Sequence, residues 1–465
     1  MMAGAYHDFV ANKLTWQRPS GIPGTSPDAM NPYLFPHQRD ITAWALRRGR
    51  AAVFADTGLG KTAMQIAWAD HVRRETGGRV LILAPLAVAA QTVAEGCRMG
   101  IPVTEARSQG DVGEGISITN YERLHRFDPS SFDGVVLDES SIIKHHDAKT
   151  LGVLMDAFGD TPWKLCATAT PAPNDYTELG THAEFLGICT RAEMLSEFFV
   201  HDGGQTSVWR LKGHAREAYW QWVASWAALV RRPSDLGHSD DGYILPPYTV
   251  TQHIIEAERA DVEAAGRLIA MEARTLMERR RARRDTVLSR VAAVAELVNA
   301  DRQPWVVWCE LNAESQALVD AIPEAIEVRG SQDIDEKERR IRGFASGEYR
   351  VIVTKPSIAG FGLNWQHCAR MAFVGVTDSW ESYYQAVRRC WRFGQTREVE
   401  VHVFSSELEG AVVSNLARKE RDAEQMASDL AAMTAHSVRE NIIGQPRSTN
   451  IYAPKSRIEV PSWMS

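Results

Sequence analysis

The chain has 465 residues, more than one compact hydrophobic core accommodates, and two or three domains are expected. Hydrophobic residues at 44% and charged residues at 24% suit a globular protein, and no apolar run approaches the roughly 18 to 20 residues of a membrane span. The net charge of −7 excludes a uniformly basic coat, though a local basic track needs no basic average. The six cysteines form no C-x-x-C pair, so buried free thiols in a reducing cytoplasm are expected rather than disulfides or a zinc site. Met1-Met-Ala-Gly-Ala-Tyr-His7 carries no charged leader ahead of an apolar core, which also points to a cytoplasmic location.

Residues 1–30 are rich in Gly, Pro, Ser and Thr and read as an irregular arm. A first α/β lobe is expected over 31–175. It opens with Pro32-Tyr-Leu-Phe-Pro-His-Gln38, leading into a helical pattern at Ile41, Trp44, Ala45 and Leu46. Ala51-Ala-Val-Phe-Ala-Asp-Thr-Gly-Leu-Gly-Lys-Thr62 is then a short apolar run, a glycine-containing loop and Lys-Thr opening a helix. That order suits a phosphate-binding loop. A buried strand delivers the chain, Gly58 and Gly60 let the backbone approach a ligand, and the helix aims its free amides at phosphates. Lys61 would reach the β- and γ-phosphates, and the hydroxyl of Thr62 would hold Mg²⁺. The strict pattern requires glycine where this chain has Ala55.

Val80–Pro85, Ile116–Asn120, Phe132–Glu139 and Lys164–Pro171 read as further short strands of a parallel sheet. Asp138 and Glu139 end the Phe132 run. There an aspartate would hold the Mg²⁺ shell, and the next carboxylate would orient or deprotonate water. Residues 176–245 turn helical and aromatic, with Trp209, Trp220, Trp222 and Trp226, and are expected to form a helical insertion.

A second α/β lobe is expected over 246–440. A long helix over 256–300 would bury Val287, Val291, Val294 and Val298 on one face. Its basic run Arg279-Arg-Arg-Ala-Arg-Arg284 reads as a solvated face, with DNA contact the alternative. Candidate strands follow at 305–309, 325–328, 350–354, 371–374 and 399–404, then a charged helical pattern. Residues 441–465 lack periodicity and read as an extended or disordered tail.

Several stretches, in order, resemble motifs of superfamily-two helicases and translocases, specifically the Swi/Snf-like branch and its compact phage-encoded members. His37-Gln38 resembles the adenine-reading glutamine motif. Asp56-Thr-Gly-Leu-Gly-Lys-Thr62 is similar to the family loop "DEMGLGKT", which also lacks the first glycine. Asp138-Glu-Ser-Ser141 stands where the family has Asp-Glu-x-His, and Thr168-Ala-Thr170-Pro is similar to motif III. In the second half, Val328-Arg-Gly-Ser331 with Glu338-Arg339 and Phe344 resembles the family's Gly-Ser…Glu-Arg…Phe segment. Ser357-Ile-Ala-Gly-Phe-Gly-Leu-Asn364 resembles "AGGxGLN", and Gln385-Ala-Val-Arg-Arg389-Cys-Trp-Arg392-Phe-Gly-Gln395 resembles "QAxDRxxRxGQ". The resemblance runs from about Tyr33 to Phe404.

It implies an α/β fold of two tandem RecA-like lobes, parallel sheets flanked by helices, closing on ATP and Mg²⁺. Phe35, Gln38, Thr57, Gly58, Gly60, Lys61, Thr62 and Gly362 would bind nucleotide, with Phe35 or Tyr33 stacking on the base. Thr62 and Asp138 would hold the metal. Lys61 and Glu139 would act catalytically with Arg389 and Arg392 as arginine fingers, because a guanidinium neutralises charge on a transferred phosphoryl group only when the cleft closes. Thr168, Thr170, Gln385 and Asn364 would couple nucleotide state to nucleic acid.

Two departures stand out: Ser141 replaces the family histidine, which would alter coupling between hydrolysis and DNA, and Arg388 replaces an aspartate, which would weaken an inter-lobe contact or add a phosphate contact. The implied activity is a DNA-dependent ATPase translocating on duplex DNA, alongside phage or host replication, recombination or defence proteins. The alternatives are a strand-separating DNA or RNA helicase and, less favoured, a non-hydrolysing scaffold.

Overall fold

The computed structural model describes residues 21–85, 88–143, 149–172, 175–202, 205–255, 286–359, 364–375, 379–406, 418, 421 and 438–442. Most of the N-terminal arm, the basic run 279–284, Gly360, Gly362 and the tail beyond 442 lie outside the described residues.

The first half builds β1 (Arg50–Ala55), β2 (Val80–Ala84), β3 (Val103–Glu105), β4 (Ile116–Asn120), β5 (Gly134–Asp138) and β6 (Trp163–Thr168). With β9 (Ala227–Val230) they form one sheet in the order β3-β4-β2-β5-β6-β1-β9, and every pairing is parallel. β1, β2, β5 and β9 are largely apolar without alternation because both faces are covered, and β4, which alternates Ile with Ser and Thr, is buried throughout as well. Ala51, Val53 and Ala55 enter one core, with the helices Pro36–Arg48 and Lys61–Thr76. Ala52 and Phe54 enter the other, with Lys149–Phe158, Leu179–Phe185 and Arg216–Trp226.

The stretch expected as a helical insertion over 176–245 is of mixed structure. It holds the antiparallel pair β7 (Phe199–Asp202) and β8 (Gln205–Leu211), and it includes β9, the edge strand of the first sheet. Ala227-Ala-Leu-Val230 follows a helix rich in Trp and Tyr, and four residues carry too little pattern to separate a strand from a helical end.

The second half builds β10 (Tyr248–Ile255), β11 (Trp305–Trp308), β12 (Ala325–Val328), β13 (Val351–Thr354), β14 (Arg370–Val374) and β15 (Val399–Ser406). Their order is β10-β15-β14-β11-β13-β12, again all parallel. Val306 and Trp308 face one core while Trp305 and Val307 face the other. Of the expected helix 256–300, the described part is Val287–Ala300, which buries Val287, Val291, Val294 and Val298. The fold is therefore two tandem parallel α/β lobes flanked by helices, the expected class. No helix among the described residues is long and apolar enough to cross a membrane.

Topology places the chemistry-bearing segments. β1 and β5 both flank β6, with Phe54 paired to Thr168 and Asp138 to Ala167. The loops leaving the C-terminal ends of these three strands therefore open at one sheet edge, where open α/β sheets bind ligands.

Candidate active site

The loop after β1 is shaped by two glycines. Gly58 has φ +95° and Gly60 +79°, a region that a side chain rarely adopts. A Cβ on Gly60 would also lie 2.2 Å from Gln38 Nε2. Gln38 is buried against this loop: Nε2 donates to the Leu59 carbonyl at 3.0 Å, and Oε1 accepts from the Phe35 amide at 2.9 Å. Lys61 opens the helix that ends at Thr76, and its Nζ turns back to donate to the carbonyl of Ala55 at 2.9 Å. Thr62 is the second residue of that helix. Thr57 donates its amide to Asp56 Oδ1 at 2.6 Å.

Beneath the loop lies a carboxylate pair. Asp138 and Glu139 are both buried. Gln65 Nε2 donates to Asp138 Oδ1 at 2.6 Å, and the Tyr121 hydroxyl donates to the Asp138 carbonyl at 2.7 Å. Burial and then the neighbouring Glu139 carboxylate push Asp138 up to about 6. Glu139 has φ +51°, the one non-glycine residue with positive φ among those described. Its backbone is strained, as at many sites where a side chain is re-aimed. Burial lowers Lys61, against the raising effect of Glu139, Asp56 and Asp138.

The second lobe supplies the cations. Arg389 is 2% exposed, and its Nη2 and Nε donate to Oε1 and the carbonyl of Gln385 at 2.9 and 2.8 Å. Burial lowers Arg389, while the negative charges of Glu139 and Asp138 act in the opposite sense. Arg392 is held at about 10, lowered first by burial and then by Arg389, with Glu139 opposing. Arg389 thus feels both Asp138 and Glu139, and Arg392 feels Glu139.

A continuous set of hydrogen bonds crosses from one lobe to the other. Thr168 Oγ1 donates to Glu139 Oε2 at 3.4 Å, and the Thr170 amide donates to Thr168 Oγ1 at 3.1 Å. Gln385 Nε2 donates to Thr170 Oγ1 at 3.2 Å, and Arg389 holds Gln385. Every member is buried, where such bonds are stronger than in water.

The remaining expected residues separate. Phe35 gathers with Tyr243 and Phe393, their ring centroids 4.9 to 6.4 Å apart, so an aromatic cluster from both lobes and their connection borders the loop. Tyr33 is instead exposed, its hydroxyl raised by partial burial and by the charge of Glu95. Asn364 accepts from the Gln366 amide at 3.3 Å inside its own loop. Gly362 lies outside the described residues.

Sequence reasoning passed over Gln65, Tyr121, Tyr243, Tyr384 and His182. Gln65 was discoverable, since it stands four residues after Lys61 on the same helix face. Tyr384 likewise stands next to Gln385 and four residues before Arg388, whereas Tyr121, Tyr243 and His182 come from distant segments that carry no spacing signal. Arg388, expected to weaken an inter-lobe contact or to touch phosphate, instead makes an inter-lobe contact. Its Nη2 lies 3.2 and 3.1 Å from Oδ1 and Oδ2 of Asp56. The lobes also meet remotely through Arg107 and Asp335 at 3.0 Å, Arg123 and Glu338 at 3.6 Å, and Arg342 and Glu105 at 3.2 Å.

Residues 289–394 match the family described as Helicase conserved C-terminal domain. No curated protein matches the chain. Among solved structures, the chain is similar to the Sulfolobus solfataricus SWI2/SNF2 ATPase core in complex with dsDNA, at 18% identity and a TM-score of 0.41, over 90% of this chain and 98% of that one.

Proposed function

We propose that the chain is a DNA-dependent ATPase that couples ATP hydrolysis to translocation on duplex DNA. The observation that carries the ATPase reading is the hydrogen-bonded path from Glu139 through Thr168, Thr170 and Gln385 to Arg389. It joins a strained carboxylate in one lobe to a buried arginine in the other, as expected where hydrolysis depends on lobe geometry. The helicase C-terminal match over 289–394 covers the segment that carries Gln385, Arg389 and Arg392. The DNA part rests on the ordered motif resemblance along both lobes.

The residues fit a nucleotide with Mg²⁺. The amides at the start of the Lys61–Thr76 helix point toward the loop, and the hydrogen bonds of Lys61 to the Ala55 and Asp56 carbonyls are ones a phosphate would replace. Two adjacent buried carboxylates make a concentration of negative charge that a divalent cation would relieve. Thr62 and Asp138 would hold the ion, which supplies charge neutralisation at the phosphates. Glu139 orients and deprotonates the attacking water. Lys61 balances the phosphate charge, and Arg389 and Arg392 stabilise charge on the transferred group across the closed cleft. Phe35 with Tyr243 and Phe393 offers apolar surface to the base.

The test measures ATP turnover with and without duplex DNA, alongside displacement of a third strand from a triplex. DNA-stimulated turnover with triplex displacement and no duplex separation supports the reading. Turnover indifferent to DNA removes the DNA part, and no turnover at all removes the enzyme.

A further inference from the structure

We propose that Asp56, Tyr384 and Arg388 form a clasp that holds the phosphate loop against the second lobe before nucleotide arrives, so that opening the cleft is the step nucleotide exchange must drive. The proposal rests on the nucleotide-cleft reading and adds positioning residues to it.

The three side chains satisfy one another. Arg388 Nη2 reaches both carboxylate oxygens of Asp56, Arg388 Nε donates to the Tyr384 hydroxyl at 3.0 Å, and that hydroxyl donates to Asp56 Oδ1 at 3.0 Å. The guanidinium also lies 4.5 Å from the ring centroid of Trp391 and 5.1 Å from that of Tyr384. The side chains of Arg388 and Asp56 are 8% and 23% exposed, so the pair is far less screened than a surface ion pair.

The clasp bears on the loop itself. Asp56 is the first residue after β1, and its Oδ1 takes the Thr57 amide. Its own amide donates to the Val230 carbonyl at 3.0 Å, and its carbonyl lies 3.4 Å from Lys61 Nζ. Beside it the second lobe rests on the loop: a Cβ on Gly58 would lie 3.0 Å from Phe393 Cβ and 3.1 Å from its amide nitrogen. Two adjacent arginines therefore divide their tasks. Arg388 grips the loop, while Arg389 is tied to Gln385 and the path to Glu139. A cleft already closed by its own ion pair binds nucleotide tightly and releases ADP slowly, since release must separate the pair.

The experiment uses the full chain and follows release of a fluorescent ADP, with the KM for ATP, in Asp56→Asn, Arg388→Gln, the double neutral variant and the exchange Asp56→Arg/Arg388→Asp. Each single variant is expected to release ADP about tenfold faster and to raise KM similarly, with kcat unchanged or higher. The double neutral variant should be no worse than either single one, and the exchange should recover most of the slow release. Additive losses, or wild-type release in both single variants, overturn the clasp. Tyr384→Phe removes one hydroxyl and keeps the ring. It should accelerate release about threefold, and wild-type release there counts against the clasp if the charge variants fail to fold.

If the wild type binds no ADP, the nucleotide-cleft reading fails and the clasp is read without nucleotide. X-ray scattering at about 0.5 M salt, where exposed ion pairs such as Arg107–Asp335 are screened, then compares wild type with Arg388→Gln. A larger radius of gyration in the variant supports the clasp, and equal radii overturn it.

Discussion

Nε2 of His182 lies 3.1 Å from the hydroxyl of Ser140, the residue directly after the strained Glu139. His182 comes from the helix Leu179–Phe185, packs edge-on to Phe54 of β1 with 5.1 Å between centroids, and is fully buried. It braces the turn that aims the Glu139 carboxylate. Ser141, which stands where the resembled family has histidine, offers no imidazole of its own, and His182 reaches the neighbouring Ser140 from another segment.

His182→Ala should therefore lower kcat by about 10- to 100-fold while changing the KM for ATP much less, because it loosens the aim of a group needed in the transition state. Steady-state kinetics on a variant of native circular dichroism checks this. A change confined to KM would contradict the bracing role.

The same residue makes stability depend on pH. Burial lowers His182 from 6.5 to about 4, so the unfolded chain binds a proton in that window and the folded chain does not. Its contribution is complete above pH 6.5 and is lost progressively as the pH falls toward 4, by roughly 3 kcal/mol in all. His37, also lowered to about 4 chiefly by burial, acts in the same direction. Thermal melts at pH 7.5 and pH 5 should show a lower Tm at pH 5, and His182→Gln should narrow the difference.

The carboxylate and arginine roles separate kinetically. Lys61→Ala and Glu139→Gln should abolish DNA-stimulated hydrolysis. Arg392→Ala should leave ATP binding largely intact while lowering kcat by about 10³-fold or more, as for a group that acts on developing charge. Turnover with equilibrium binding of a fluorescent ATP analogue distinguishes these outcomes, and a defect in Arg392→Ala limited to affinity would remove its assignment as a finger.

Much of this was legible in the sequence. Five of the first sheet's strands and five of the second's were expected from short runs, most of them apolar on both faces because both are covered, others such as β4 and β15 alternating apolar with polar residues. What escaped was set by tertiary contact. β10 is an edge strand whose Thr249, Val250, Thr251 and Gln252 are exposed, so its sequence carries no core signal. β3 has three residues. In the site, Lys61, Asp138 and Glu139 follow from local order, whereas the His182–Ser140 and Arg388–Asp56 partnerships join segments 42 and 332 residues apart. No periodicity reports such pairs.

The buried ion pair of the second lobe should prove its least tolerant point. Arg290 and Glu314 are wholly inaccessible and lie 2.8 Å apart. Arg290 also donates to the Val374 carbonyl at the end of β14, at 2.9 Å, and to Thr286 Oγ1 at 3.2 Å. Glu314 accepts the amides of Glu310 and Leu311, both at 2.9 Å, and so fixes the start of the helix Asn312–Ala321. Arg290→Leu leaves a buried carboxylate with no cation, and the loss should be about 3 to 5 kcal/mol. The paired change Arg290→Leu/Glu314→Gln removes the stranded charge and keeps an amide-accepting oxygen, so it should recover part of that loss. Urea unfolding of the four species measures the coupling. If the single arginine variant were as stable as wild type, the pair would contribute nothing to holding this lobe together.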